Sequence, residues 1–201
     1  MWTCGDCYLL IHQTFFDGIV YGNSKFVCTV TVTVTRQTDG YGDNFDALRS
    51  VHVENDSGLN ITYNDFIGAN AVDEEFAKKY DGMTLPDGKY FLSSDTYLLT
   101  QQSDGSFDSN SYANVLALKT NDNSIPKETR DKINDTSSGY FCHANQKKTS
   151  NTSYSTRPRS AGCNISDGQV KQDIFMSLVN LAPRPEYVEY TIQSISNMER
   201  N

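Results

Sequence analysis

Two side chains able to do covalent chemistry stand twenty residues apart: His143, in Phe141-Cys142-His143-Ala144-Asn145, and Cys163, in Arg159-Ser160-Ala161-Gly162-Cys163-Asn164-Ile165. A thiolate attacks a carbonyl carbon far better than a thiol does, and a neighbouring imidazole both takes the thiol proton and stabilises the charge left behind. Glycine just before the nucleophile lets the backbone turn tightly, so that Ser160-Ala161-Gly162-Cys163 can offer nucleophile and oxyanion donors from one short turn. The pair is expected within hydrogen-bond reach, or slightly beyond it without substrate. Arg157 and Arg159, just upstream, can hold a carboxylate through planar, bidentate contacts. They and Asn145 are the candidate substrate-binding residues.

The other thiols and imidazoles carry less. Cys4-Gly5-Asp6-Cys7 has redox or zinc spacing, yet a zinc ribbon needs a second ligand pair and a thioredoxin motif needs a preceding strand. His12 and Cys28 are the residues that would have to complete such a site, and a disulfide or free thiols account for Cys4 and Cys7 better. No metal and no cofactor is expected. Cys142 reads as an alternating core position on the strand leading to His143, with the alternative of a second thiol that traps Cys163 as a disulfide. His52 reads as structural, and Glu74-Glu75 as a solvated helical face. Five cysteines are an odd number, which leaves room for a reactive thiol.

His143 followed by Ser160-Ala161-Gly162-Cys163 resembles the catalytic motif of the L,D-transpeptidases (the YkuD-type domain), a His and then Ser-x-Gly-Cys about twenty residues on. Ala161 stands where that family commonly has His or Arg, Ala144 where it usually has Gly, and Ile165 where it often has a basic residue. Leu85-Pro86-Asp87-Gly88-Lys89-Tyr90 is similar to the turn that precedes the site in the same family, and falls in the right order. The resemblance implies a β-sheet or barrel domain in which Cys163 is the nucleophile, His143 the base, and Ser160 and Gly162 shape the turn. It also implies peptidoglycan stem peptides as partners and a periplasmic or extracellular location, although no signal is visible in Met1–Gln13.

Strands must do most of the positioning. Phe26 to Thr35 alternates with period two, placing Val30, Val32 and Val34 on one face of a long strand. Leu48–Glu54, the run after the Pro86-Asp87-Gly88 turn, Tyr97–Gln101, Tyr112–Lys119 and Tyr187–Ile195 read as further strands, the last with Val188, Tyr190 and Ile192 on one face. A short helix is expected over Asp73–Tyr80, capped by Asp73, and another after Pro126. After the cysteine, Ser166 or Asp167 caps a helix whose stripe is Val170, Ile174, Leu178 and Leu181, ended by Pro183. The expectation is a mainly β, L,D-transpeptidase-like sheet or barrel with one or two short helices. It forms one domain over residues 1–201, of which 1–25 is an N-terminal extension.

Composition narrows the function classes. A chain of 201 residues with 37% hydrophobic content can bury one sizeable core. The formal charge of −8, with no long basic run, argues against nucleic acid as partner. No apolar stretch is long enough to span a membrane. The leading expectation is cysteine-dependent acyl transfer on wall peptides, as transpeptidase or carboxypeptidase. The alternative is a catalytically silent β-domain that binds wall glycan or peptide, or serves as a structural module. Sequence leaves the oligomeric state open.

Overall fold

The structure, a computed structural model, describes residues 27–93, 116–135, 140–144, 158 and 160–195. Strands β1 (Thr29–Arg36), β2 (Ala47–Glu54) and β3 (Asn60–Gly68) form an antiparallel meander. Helix α1 (Glu74–Lys79), strands β4 (Gly88–Ser93) and β5 (Leu116–Lys119), helix α2 (Lys127–Asn134) and strands β6 (Tyr140–Ala144) and β7 (Asn164–Ser166) follow. Helix α3 (Gln169–Val179), a 3-10 turn (Pro185–Tyr187) and strand β8 (Glu189–Ser194) complete the described elements. The strands close into a barrel in the order β1-β2-β3-β7-β6-β5-β4-β8. Two joints of that ring are parallel, β1 with β8 and β6 with β7. The mainly β expectation holds in this form. The strand expected over Tyr97–Gln101 and the extension 1–25 lie outside the described residues.

Alternation builds the wall. Val30, Val32 and Val34 of β1 and Val188, Tyr190 and Ile192 around β8 are at most 1% exposed and meet in one core, while the threonines between the valines face outward. Asp73 caps α1 as expected, its Oδ1 accepting from the Phe76 amide at 2.6 Å, and α2 follows Pro126.

Helix α3 departs from its expected face. Val170 is 70% exposed and Ile174 40% exposed, whereas Gln172, Phe175, Met176, Leu178 and Val179 are buried against the barrel. Neither Ser166 nor Asp167 caps it. Ser166 ends β7 and Gly168 is the N-cap, without a side-chain bond. The reason is polar: Ser166 Oγ donates to Gln172 Oε1 at 2.7 Å, and Gln172 Nε2 donates to the Cys142 carbonyl at 3.2 Å. Satisfying these buried groups turns the Gln172–Phe175 face inward.

Buried charge closes two further places. Arg49 and Asp65, cross-strand partners on β2 and β3, pair inside the barrel, with the Phe175 ring 4.1 Å from the guanidinium. Arg36, at the end of β1, bonds Ser194 Oγ of β8, the Leu85 carbonyl and Asp87 Oδ1. Asp87 in turn accepts from the Ser194 amide and hydroxyl, and Tyr90 Oη donates to the Pro86 carbonyl at 2.6 Å. The Pro-x-Gly-x-Tyr turn thus serves as a clasp over the β1–β8 joint.

Candidate active site

Parallel pairing sets Cys142 beside Asn164, His143 beside Ile165 and Ala144 beside Ser166. Continued one residue back, the register brings Cys163 beside Phe141, so that the Phe141 backbone and the Ser160 hydroxyl are the polar groups acting on the thiol. Both contacts favour the charged form, so the Phe141 group is its N–H, the only backbone donor. Cys142 and Tyr140 point into the core, which puts Phe141 and His143, with Ile165 opposite, on the outer face of the ladder. His143 and Cys163 therefore stand one strand repeat apart, roughly 6.6 Å along the ladder.

The Ser160–Cys163 turn is braced from every side. Ser160 Oγ accepts from the Gly162 amide at 2.8 Å and donates to the Cys163 carbonyl at 3.0 Å, and the Val72 amide donates to the Ser160 carbonyl at 3.0 Å. Gly162 has φ 137°, and a Cβ there would lie 2.0 Å from the Met83 carbonyl oxygen and 2.7 Å from the Tyr140 ring. No other residue fits. A Cβ on Gly82 would likewise meet the Ala161 carbonyl oxygen at 2.0 Å, so residues 82–83 lie flat against residues 161–162.

Electrostatically the pair rests neutral. Burial pushes the Cys163 thiol above its ordinary value, opposed by the Phe141 and Ser160 contacts. Burial also pulls His143 down to about 4, opposed by the Ala144 carbonyl. That carbonyl lies 2.7 Å from His143 Nδ1, which must donate to it, so the basic lone pair belongs to Nε2. Cys142, bonded through Sγ to Tyr190 Oη at 3.8 Å, is pushed up to about 12 by burial and is the core residue that alternation indicates.

The structure brings His143 and Cys163 onto one ladder, where the register offsets them by two residues. Ser160 holds the turn, and the Gly162 amide is committed to Ser160 rather than to an oxyanion. Arg157, Arg159 and Asn145 lie outside the described residues, as do Cys4, Cys7 and His12. Cys28 is buried beside Asn55 Nδ2. His52 sits on the outer wall against Thr62 and Glu54, and Glu74 pairs with Lys78 on the exposed face of α1. Among the described residues no group of three or more His, Cys, Asp or Glu is placed to hold a metal, and no helix is long and apolar enough to cross a membrane. Sequence reading missed Gly82, Met83 and the Phe141 amide, which act through backbone or through the lack of a Cβ and leave no pattern of residue types. No family model matches the chain, and neither do any of the curated proteins or solved structures.

Proposed function

We propose that the protein is a cysteine acyltransferase of the L,D-transpeptidase kind, acting on peptidoglycan stem peptides through a Cys163 thioester with His143 as base. The observation that carries this reading is the braced turn that fixes Cys163 while the Phe141 amide and the Ser160 hydroxyl approach its sulfur. The Phe141 amide stabilises a thiolate as it forms, while the Ser160 hydroxyl gives its one proton to the Cys163 carbonyl and so holds the turn.

Starting from neutral partners, His143 takes the thiol proton as sulfur bonds to the carbonyl carbon of the amide. The tetrahedral intermediate then collapses with loss of the C–N bond, and the leaving amine carries away that proton. An incoming amine or water next attacks the thioester, gives its proton to the base and frees the thiol. A wall substrate would place the protein in the periplasm or outside the cell.

The raised thiol favours a second reading, a silent barrel that only binds the wall. Intact-protein mass spectrometry separates the two. With muropeptide tetrapeptides or a carbapenem, wild type should gain a covalent adduct on Cys163, and Cys163→Ala should gain none and leave the terminal D-amino acid in place. Wild type that neither gains an adduct nor releases that residue is the silent barrel.

A further inference from the structure

The outer wall around β1 lies four strands from β6 in either direction round the ring, so it faces away from Cys163. Register lines its outward residues into rows. One row runs Gln193, Thr35, Leu48, Phe66 across β8, β1, β2 and β3, and the next runs Thr191, Thr33, Ser50, Asn64. These eight positions carry no ionisable side chain. Surfaces are typically about 25–35% charged, so eight such positions would ordinarily hold two or three charges. Charge returns at the borders: Lys89 continues the second row beside Thr191, and the row beyond it, Glu189, Thr31, His52 and Thr62, carries Glu189 at its β8 end.

The first row ends in apolar surface. Phe66 is 54% exposed and its cross-strand partner Leu48 is 37% exposed, a pair of large hydrophobic residues left facing solvent side by side. Beside them hydrogen-bonding capacity stands unused: among the described residues, Thr33, Ser50, Asn64 and Thr191 make no side-chain hydrogen bond, whereas Thr35 accepts from Gln193 Nε2 at 3.0 Å. At about 4.8 Å per strand and about 6.6 Å per repeat, Leu48, Phe66, Ser50 and Asn64 form a compact four-residue patch on the convex barrel wall, with Thr33 and Thr191 continuing it round the ring.

We infer that this wall binds a neutral polysaccharide. A sugar ring offers an apolar C–H face and a hydroxyl rim. The ring of Phe66 and the side chain of Leu48 meet the first, and the hydroxyls and amides of Thr33, Ser50, Asn64 and Thr191 meet the second. A charged polymer would find no counter-charge in either row. The inference rests on the wall alone and stands or falls independently of Cys163.

Retention of the full chain on insoluble chitin and on cellulose tests it, the two matrices separating recognition of an acetamido sugar from that of plain glucose. Wild type should be retained on at least one, and soluble oligosaccharide of the same sugar should elute it. Phe66→Ala and Thr33→Lys, both at positions with solvent access, should bind about tenfold more weakly or worse with unchanged circular dichroism. Cys163→Ala should bind as wild type. Passage of wild type through both matrices overturns the inference, as does equal retention of folded Phe66→Ala.

Discussion

His143 shows how a single buried group ties chemistry to stability. Its imidazole is pulled down to about 4 by burial, against 6.5 for the ordinary group. Between those values the unfolded chain binds a proton that the folded chain refuses, so stability rises with pH through that window. The full contribution is present above about 6.5 and is lost as pH falls towards 4, amounting to about 3 kcal/mol at one pKa unit per about 1.4 kcal/mol. Urea unfolding at pH 7 and pH 4 should show this loss in wild type and a clearly smaller one in His143→Gln, since the difference between the two proteins cancels every other titration. Equal losses would mean that His143 titrates normally. In the acyl transfer proposed above, the same shift would keep His143 unprotonated throughout the neutral range, at the expense of basicity.

At the scale of elements, the turn before Cys163 is a backbone device. Gly162→Ala would force a left-handed residue and a clash with carbonyl and ring, whereas Gly58, with φ 91° and nothing within 4 Å of a built Cβ, isolates the backbone cost alone. Thermal unfolding should place Gly58→Ala about 1 kcal/mol below wild type and Gly162→Ala about 3 kcal/mol or more below it, with comparable losses showing that the turn yields. Glycine at position 162 was legible in the sequence, and so was the alternation of β1 and β8, because both are local. The face of α3 was not: hydrophobic spacing selected Val170 and Ile174, while the helix orients to give Gln172 to a carbonyl and a hydroxyl that lie close only after folding. The candidate pair was found by residue type, yet its two-residue offset is a property of the β6–β7 register, which no spacing along the chain encodes.

Across the whole molecule, barrel closure was the least legible feature, since it depends on pairing β1 with β8, whose Arg36 and Ser194 are 158 residues apart. Two buried arginines, Arg36 and Arg49, carry no hydrophobic signal at all. They are held inside because carboxylates on neighbouring segments, Asp87 and Asp65, meet them there.

The parallel β1–β8 joint has a mechanical meaning. Parallel strands begin at the same end, so the start of β1 and the finish of β8 lie at opposite poles of the ring. Tension applied through those two points pulls along the strands and loads the bridges from Thr31↔Glu189 to Arg36↔Ser194 in shear, all at once, where an unzipping geometry would break them one by one. The Asp87 clasp sits at the loaded end. Pulled singly between handles attached at Val27 and Ile195, the protein should rupture in one high-force step, and Asp87→Ala should lower that force. A low-force, stepwise extension would show that another joint opens first. A domain that works on a stress-bearing polymer meshwork would gain from such a seam.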